Sequence, residues 1–368
     1  MTTQPRARES VEYVERVHRE VDRSILRARN GIRYVSAPTN VGRTPRDVVW
    51  RRDRAELWRY RGGSIRYAQP LVFVHSLVSK SYILDLRPGS STVEFFLGQG
   101  LDVFLVDWGV PDERDADNDV ETYVDEYLPR AIRAVQKETG CEEVTLAGYC
   151  LGGIFTILYA AGHENAPVRN LILLATPIDY NEMGIMVAPI LAGRLDPDEL
   201  LDETGNVPAD ALYAGFYMQA PTKEIALYAS LLENLWNDEF VEGYQAMAQW
   251  SREHVPFPGA ACRQVVDEFV RKNVLMTGQM ELGGRVIDFT NIRGHVLNAF
   301  AEKDNVVPVA AVEPGSRVVG HPKRRQELRL GGGHVTFATG SRAFKQTLPA
   351  IMAWIAEHSD ELDPPTER

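Results

Sequence analysis

The stretch Val144-Thr145-Leu146-Ala147-Gly148-Tyr149-Cys150-Leu151-Gly152-Gly153 decides the fold of this chain. A short apolar run leads into Gly-x-Cys-x-Gly, and the apolar residues 154–161 that follow favour a helix. This order predicts a strand, a sharp turn and a helix, which together form a nucleophile elbow with cysteine where serine is usual. We interpret Gly148 and Gly152 as making room for the strained turn, because glycine has no Cβ atom.

The thiol of Cys150 has two interpretations. The turn would place it above the sheet and at a helix N-terminus, where the positive end of the helix dipole favours a thiolate nucleophile. A buried structural cysteine in a tight turn explains the same motif. The choice depends on whether the rest of the chain supplies a base and an acid.

Length and composition bound the class of protein. With 368 residues, the chain can form one large α/β domain with an insertion, or two domains. Hydrophobic residues make up 44% and charged residues 25%, which is ordinary for a soluble globular protein. The net charge of −11 argues against general nucleic-acid binding.

Cysteine usage and the absence of long apolar runs predict the compartment. Cys141, Cys150 and Cys262 are an odd, sparse set, which is not a disulfide framework and favours a reducing environment. Residues 1–6 contain no apolar core of a secretory signal, and no run approaches the roughly 18 apolar residues of a membrane span. We predict a cytoplasmic protein without a transmembrane segment. No histidine or cysteine pair has metal-ligand spacing, so we expect no metal.

Predicted strands and helices alternate along most of the chain, which is typical of an α/β protein with a mostly parallel sheet and helices on both faces. The predicted strands are residues 47–50, 57–61, 70–75, 101–109, 144–147, 168–175, 295–301 and 327–330. The predicted core helices are residues 90–98, 120–139 and 344–356. An amphipathic helix over residues 10–29 either packs on the domain edge or binds a partner.

The alternation stops after the sixth strand region. Residues 182–273 are rich in Met, Trp, Tyr and Leu and mostly helical in period, so we predict a largely helical cap over the elbow. The predicted division is an N-terminal helical extension (1–45), an α/β core (46–180 and 286–360) and a cap or lid insertion (181–285). The tail, residues 362–368, is predicted to be disordered.

A base and an acid follow the cysteine in the order expected for this kind of elbow, which is nucleophile, acid, histidine. The strand that ends at residue 301 leads to Asp304, and the last strand leads through three glycines to His334. Parallel strands bring their carboxyl ends to one edge, so we predict that Cys150, Asp304 and His334 meet there. Glu302 is the alternative acid, and a helix or turn cap is the structural alternative for Asp304.

The oxyanion hole needs two backbone N–H donors. We assign one to Leu151, the residue after the nucleophile, and the other to Leu77 or Val78, which follow the strand at residues 70–75. His75 is the one other histidine of interest, because it lies at the end of the strand that usually supplies this donor.

A cysteine nucleophile favours acyl transfer over hydrolysis. Transfer of an acyl group from an acyl-CoA to cysteine exchanges one thioester for another, so the bound acyl group stays activated. A hydroxyl acceptor can then attack, and formation of the more stable oxygen ester drives the step. Cysteine hydrolases on such a fold remain an alternative.

Several segments together resemble the catalytic subunit of polyhydroxyalkanoate synthase, most closely the short two-subunit (class III-like) type. The cysteine box at residues 148–153 is similar to the family's lipase-like box. The other matching segments are residues 82–89 (YILDLRPG), 102–109 (ending in Asp-Trp-Gly), 176–180, 205–208, 247–250, 297–308 and 332–334. The chain departs from the family at Ser79, where many members have asparagine, and in the unusual segment 76–78.

This resemblance implies an α/β-hydrolase fold and an acyltransferase that polymerises (R)-3-hydroxyacyl-CoA, with short-chain monomers such as 3-hydroxybutyryl-CoA. It implies that Cys150 is the nucleophile that carries the acyl chain and that His334 is the general base. Asp304 orients His334 and is a candidate for activating the incoming hydroxyl. No cofactor is implied, since CoA is part of the substrate and product.

The same resemblance implies a growing polyester chain held on the enzyme, a location at polyester granules, a second synthase subunit and a homodimer. Two other functions compete with it. One is a cysteine-dependent hydrolase of the thioester or dienelactone type. The other is a non-catalytic granule-bound or scaffolding protein that retains the fold.

Overall fold

The structure is a computed structural model that describes residues 4–36, 38–219 and 223–366. Within these ranges the chain forms fourteen strands. They are β1 (Arg46–Arg52), β2 (Ala55–Tyr60), β3 (Ile65–Tyr67), β4 (Leu71–Val74), β5 (Val103–Asp107), β6 (Val144–Tyr149), β7 (Val168–Leu174), β8 (Asn206–Val207), β9 (Phe257–Pro258), β10 (Gln279–Leu282), β11 (Arg285–Asp288), β12 (His295–Ala301), β13 (Arg325–Leu330) and β14 (Glu361–Thr366).

Twelve α-helices connect and cover the strands in the described ranges. They are α1 (Gln4–Ser36), α2 (Thr92–Gly98), α3 (Leu128–Thr139), α4 (Leu151–Gly162), α5 (Ala188–Leu191), α6 (Ala209–Met218), α7 (Lys223–Asn234), α8 (Asp238–Arg252), α9 (Gly259–Gln264), α10 (Val309–Val312), α11 (Gly315–Val318) and α12 (Leu348–His358). Three π-helical segments adjoin α3, α9 and α12: Thr122–Tyr127, Val265–Arg271 and Ala343–Thr347.

Eight strands form the main sheet, in the order β1-β2-β5-β4-β6-β7-β12-β13. The six strands from β5 to β13 pair in parallel, whereas β1 and β2 add an antiparallel edge. The predicted α/β fold with a mostly parallel sheet is therefore confirmed.

The central strands β4, β5, β6, β7 and β12 are buried on both faces because their alternate side chains enter two different cores. In β4, Val72 and Val74 join the core that contains α3 and α4, while Leu71 and Phe73 join the core beneath α2 and α12. The continuous apolar runs of the sequence are the consequence of this double coverage.

A long and largely helical segment separates β7 from β12. It contains α5 to α9, and α6, α7 and α8 lie over the carboxyl end of the sheet, where their side chains meet the elbow in one cavity. A small hairpin, β10–β11, returns the chain to the sheet. We use the word cap for α6, α7 and α8.

The N-terminal helix α1 is longer than the predicted residues 10–29, and its C-terminal part packs on α8. Asn30 is fully buried and donates to the carbonyl of Leu235 at 2.7 Å and to Asp238 at 2.8 Å. Farther toward the N-terminus, the side chains of Val21 and Ile25 are 51% and 63% exposed. One helix thus combines a packed end with an exposed apolar stripe.

The C-terminal tail differs from its prediction of disorder. Residues 361–366 form β14, which pairs with β3 through Glu361 opposite Tyr67 and Thr366 opposite Ile65. Gln69 contributes by accepting from the backbone N–H of Asp360 at 2.9 Å. The prediction was wrong for residues 362–366, because it rested on their place at a chain end, whereas β3 supplies a partner strand and proline is tolerated on an edge strand. Residues 367–368 lie outside the described residues.

Candidate active site

The elbow lies where β6 ends and α4 begins. Cys150 occupies this junction with φ 55° and ψ −124°, a conformation that residues with a side chain rarely adopt. Its N–H donates to the carbonyl of Leu174 at 2.9 Å, and its carbonyl accepts from the N–H of Gly153 at 2.9 Å. The strained backbone is thus held by the neighbouring strand and by the first turn of the helix.

Close backbone packing explains the glycines around the cysteine. A Cβ atom on Gly152 would overlap the carbonyl oxygens of Val74 and His75, at the end of β4. A Cβ atom on Gly148 would overlap the backbone of Gly153. The start of α4 therefore presses directly against two strands, and this contact fixes the position of the thiol.

Asp304 and His334 form a buried pair beside the elbow. The carboxylate Oδ2 of Asp304 lies 2.7 Å from Nδ1 of His334, and the two side chains are 1% and 12% exposed. The other oxygen, Oδ1, accepts from the backbone N–H groups of Val306 and Val307 at 2.8 Å each. The carboxylate thus has a fixed orientation, whereas the side chain of Glu302 is exposed.

Tyr149 makes two contacts that hold His334 in place. The ring of Tyr149 stacks on it with centroids 5.1 Å apart and an interplanar angle of 21°, and the Tyr149 hydroxyl donates to the carbonyl of His334 at 2.9 Å. Burial alone would lower the pKa of His334, but the charge and hydrogen bond of Asp304 and the hydrogen bond and charge of Cys150 raise it to about 10. The imidazole therefore holds its proton between a carboxylate and a sulfur.

A cavity of about 370 Å³ opens onto these residues. Its floor contains Cys150 and His334 together with the loop after β4, and its walls come from the cap. The wall residues are mostly aromatic or apolar: Tyr213, Phe216, Tyr217, Leu227, Tyr228, Tyr244, Met247 and Trp250. The site can therefore enclose an apolar acyl group next to a thiol, a histidine and a carboxylate.

Two protein-family models match the chain. One describes the alpha/beta hydrolase fold and matches residues 69–341. The other describes the N-terminus of poly-beta-hydroxybutyrate polymerase (PhaC) and matches residues 20–96.

Individual relatives match most of the chain. The poly(3-hydroxyalkanoate) polymerase subunit PhaC of Allochromatium vinosum is 30% identical over 322 residues, which cover 86% of this chain and 90% of that protein. This chain belongs to the poly(3-hydroxyalkanoate) polymerase family. The subunit of the same name from Haloferax mediterranei is 31% identical over 325 residues, which cover 87% of this chain and 65% of that longer protein.

Two solved structures are similar to this chain in fold alone. A putative lipase from Sulfolobus solfataricus has a TM-score of 0.55 at 15% identity, covering 88% of this chain and 97% of the lipase. A thermophilic esterase from Thermogutta terrifontis has a TM-score of 0.51 at 13% identity, covering 86% of this chain and all of the esterase. Both agree with the α/β-hydrolase architecture of the polymerase family.

The other two cysteines lie away from the cavity of this polymerase-family chain. Cys141 donates from Sγ to the carbonyl of Ala68 at 2.8 Å. Cys262 is 5% exposed, and burial raises its pKa to about 11. All three cysteines are free, and no cluster of three metal-ligating side chains occurs among the described residues. In the same part of the chain, every helix is too short or too polar to cross a membrane.

The predicted oxyanion donors differ in their surroundings. Leu151 is the first residue of α4, where N–H groups lack an intrahelical acceptor. Val78 lines the cavity, whereas the side chain of Leu77 is 1% exposed and packs in the core. These three donors remain predictions.

Two polar residues of the cavity were not predicted from the sequence to act at the site. His254, which follows α8, donates from Nδ1 to the carbonyl of Val78 at 3.0 Å. The Oγ atom of Ser79 lies 3.0 Å from Nε2 of the buried His75. The sequence carried two signals for Ser79, which are its place shortly after the strand at residues 70–75 and its departure from the asparagine of many family members.

Proposed function

We propose that this chain polymerises (R)-3-hydroxyacyl-CoA into a polyester with release of CoA, through a thioester on Cys150. The observation that carries the proposal is the strained Cys150 beside the Asp304–His334 pair, in a member of the poly(3-hydroxyalkanoate) polymerase family. A thiol, a base and a carboxylate that orients the base are the parts that covalent acyl transfer requires.

In the first half-reaction, the Cys150 thiolate attacks the thioester carbonyl carbon, and His334 holds the thiol proton. The tetrahedral intermediate collapses, the bond to the CoA sulfur breaks, and CoA leaves with that proton. The backbone N–H groups of Leu151 and of Leu77 or Val78 are the proposed donors to the oxyanion.

In the second half-reaction, the 3-hydroxyl of another hydroxyacyl unit attacks the thioester on Cys150. A carbon–oxygen bond forms, the carbon–sulfur bond breaks, and His334 accepts the hydroxyl proton, which restores the starting pair. Asp304 keeps Nδ1 of His334 protonated and the ring oriented, so that Nε2 faces the reacting atoms. We also propose Asp304 as an activator of the hydroxyl.

The cavity supports an acyl-transfer role for short-chain monomers. Its volume of about 370 Å³ is at the small end for a ligand site, and its walls are mostly aromatic or apolar. A water-poor site favours transfer to a hydroxyl over hydrolysis. We therefore propose short-chain substrates such as 3-hydroxybutyryl-CoA.

We also propose that the chain binds other protein subunits. The exposed stripe that includes Val21 and Ile25 on α1 supports the idea of a second synthase subunit, because exposed apolar faces are typical of interfaces. We also propose a homodimer and a location at polyester granules in the cytoplasm, on the basis of the family resemblance.

The test is CoA release from (R)-3-hydroxybutyryl-CoA by the full chain, alone and with a candidate second subunit. We expect Cys150→Ala to abolish release, because no other thiol reaches the cavity, and Cys141→Ala to keep it. Equal activity in both variants would contradict the thiol mechanism. Insoluble polyester as the product supports the polymerase, whereas free 3-hydroxybutyrate would identify a cysteine hydrolase, and an inert protein in both assays would favour a scaffolding role.

A further inference from the structure

The loop after β4 contains a polar pair that the reaction described above does not use. His75 is 1% exposed, and its Nε2 lies 3.0 Å from Oγ of Ser79. Nδ1 of the same ring is buried and has no hydrogen-bond partner among the described residues. Ser79 lines the cavity that also contains Cys150 and His334.

The environment of the ring determines which nitrogen carries its hydrogen. Burial, and then the charge of His334, lower the pKa of His75 to about 3, so the imidazole is neutral and has one N–H donor. A hydrogen on Nδ1 would be a buried donor without an acceptor among the described residues, whereas an Nδ1 without hydrogen is only an unpaired acceptor, which buried sites tolerate better than an unpaired N–H. A hydrogen on Nε2 is donated to Ser79 Oγ instead, so this tautomer is favoured.

The hydrogen bond from His75 also determines what the hydroxyl hydrogen of Ser79 can do. Because Ser79 Oγ accepts a hydrogen bond from His75, its own hydroxyl hydrogen is left to donate elsewhere. Among the residues that the structure describes, His75 is the only hydrogen-bond partner of that hydroxyl. The hydroxyl therefore has an unused donor at the wall of the cavity.

We propose that the Ser79 hydroxyl donates a hydrogen bond to the thioester carbonyl oxygen of the bound acyl group, and that His75 is the positioning residue that orients it. Ser79 directly follows Leu77 and Val78, one of which is predicted to supply the second backbone donor, so a substrate oxygen held there lies against the same loop. This inference rests on the proposed function, because it presupposes acylation of Cys150.

The donor matters most when negative charge develops on that oxygen. Attack by the Cys150 sulfur converts the neutral carbonyl into an oxyanion, and a preoriented hydroxyl stabilises the oxyanion more than the carbonyl. Its loss should therefore lower the rate of acylation more than the affinity for substrate. The neighbouring Ser76 is the competing donor, since its Oγ is buried and has no hydrogen-bond partner among the described residues.

The test uses two substrates with the full chain. p-Nitrophenyl acetate reports acylation of Cys150 directly as a burst of p-nitrophenolate, and (R)-3-hydroxybutyryl-CoA reports the complete reaction as CoA release. We expect Ser79→Ala to lower the burst rate and kcat by about 10-fold to 100-fold with little change in KM, because removal of one oxyanion donor has effects of this order. Ser79→Thr, which keeps the hydroxyl, should stay near wild type.

Matched variants separate this role from a structural one. Ser24→Ala removes a hydroxyl that donates to the carbonyl of Glu20 in α1, far along the chain from the site, and should leave both rates unchanged. His75→Phe removes the donor to Ser79, and adding Ser79→Ala to it should cost less than Ser79→Ala costs in the wild type. His75→Gln, which can donate from its amide, should restore part of the rate.

Wild-type rates in Ser79→Ala, at an unchanged melting temperature, would overturn the inference. A loss of rate in Ser76→Ala with none in Ser79→Ala would also overturn it and assign the donor to Ser76. A chain that shows the burst and the Ser79 effect but makes no polyester would contradict the proposed function alone.

Discussion

The elbow and the cap are built in different ways. Around Cys150 the chain is packed backbone against backbone, as at Gly152, and Tyr149 and Ile154 are almost completely buried. In the cap, α6 and α7 leave large apolar side chains in solvent, with Met218 61% and Leu232 64% exposed. The candidate catalytic cysteine thus lies on tightly packed elements, while the cap leaves several large apolar side chains exposed to solvent.

The two regions meet at the loop after β4. Trp250 of α8 donates from Nε1 to the carbonyl of Lys80 at 2.8 Å, and Tyr82 donates to Glu253 at 2.8 Å. These bonds tie the end of α8 to the loop that carries Ser79. The elbow carries the candidate catalytic groups and the cap covers them. We therefore expect substitutions at the elbow to stop the reaction and substitutions on the cap surface to be tolerated by the fold.

The largest expected effect is on catalysis at the rigid edge. Asp304→Asn should lower kcat for CoA release on the order of 10²-fold to 10⁴-fold, because the amide cannot stabilise the charged His334 or select its tautomer. Glu302→Gln is the matched control, since that side chain is exposed and should leave kcat unchanged. A large loss of kcat in Glu302→Gln with none in Asp304→Asn would assign the role of the acid to Glu302 instead of Asp304.

The same variant should change the pH dependence of stability. The pKa of His334 is raised from 6.5 to about 10, so the stabilisation by its charged form is complete below pH 6.5 and is lost as the pH rises through 10. Without the Asp304 charge, the decline of the unfolding free energy across this window should be shallower. Urea unfolding at both ends of the window measures it, and an unchanged slope would contradict the assigned cause.

The next largest effect is on packing at the elbow. Gly152→Ala should lower the unfolding free energy by about 3 kcal/mol and abolish CoA release, because its Cβ atom would meet two backbone carbonyls that cannot move aside. Gly215→Ala in α6 is the control from the cap, where a Cβ atom meets nothing within 4 Å. It should stabilise α6 by up to about 1 kcal/mol. Similar effects of both changes on urea unfolding would refute the contrast between the regions.

Two leucine substitutions compare a buried helix with the cap surface, and the one in the cap has the smallest expected effect. Leu158→Ala in the buried helix α4 should lower the unfolding free energy by about 2–5 kcal/mol, since the side chain is 0% exposed. Leu232→Ala in α7 should change it by no more than about 0.5 kcal/mol. Urea unfolding of both variants is the measurement, and a large loss at Leu232 would indicate that the cap surface is covered in solution.

Several features were predictable because their signals are local. The central strands β4, β5, β6, β7 and β12 follow from apolar runs, and the elbow follows from Gly-x-Cys-x-Gly. The pairing of Asp304 with His334 agrees with the expected order along the chain, and the structure places them 2.7 Å apart. The extent of α1 and the pairing of β14 were missed, because each depends on a surface that another part of the chain supplies.

The sequence by itself determined the class of fold, the candidate nucleophile Cys150 and the order along the chain of the candidate acid and base that follow it, since periodicity and strand-end motifs need only neighbouring residues. Only the tertiary structure decided that Asp304 rather than Glu302 faces His334, that cap side chains enclose the thiol, and that His75 bonds to Ser79. Those facts depend on distances of about 3 Å between atoms, which are set when separate strand ends and cap helices pack together.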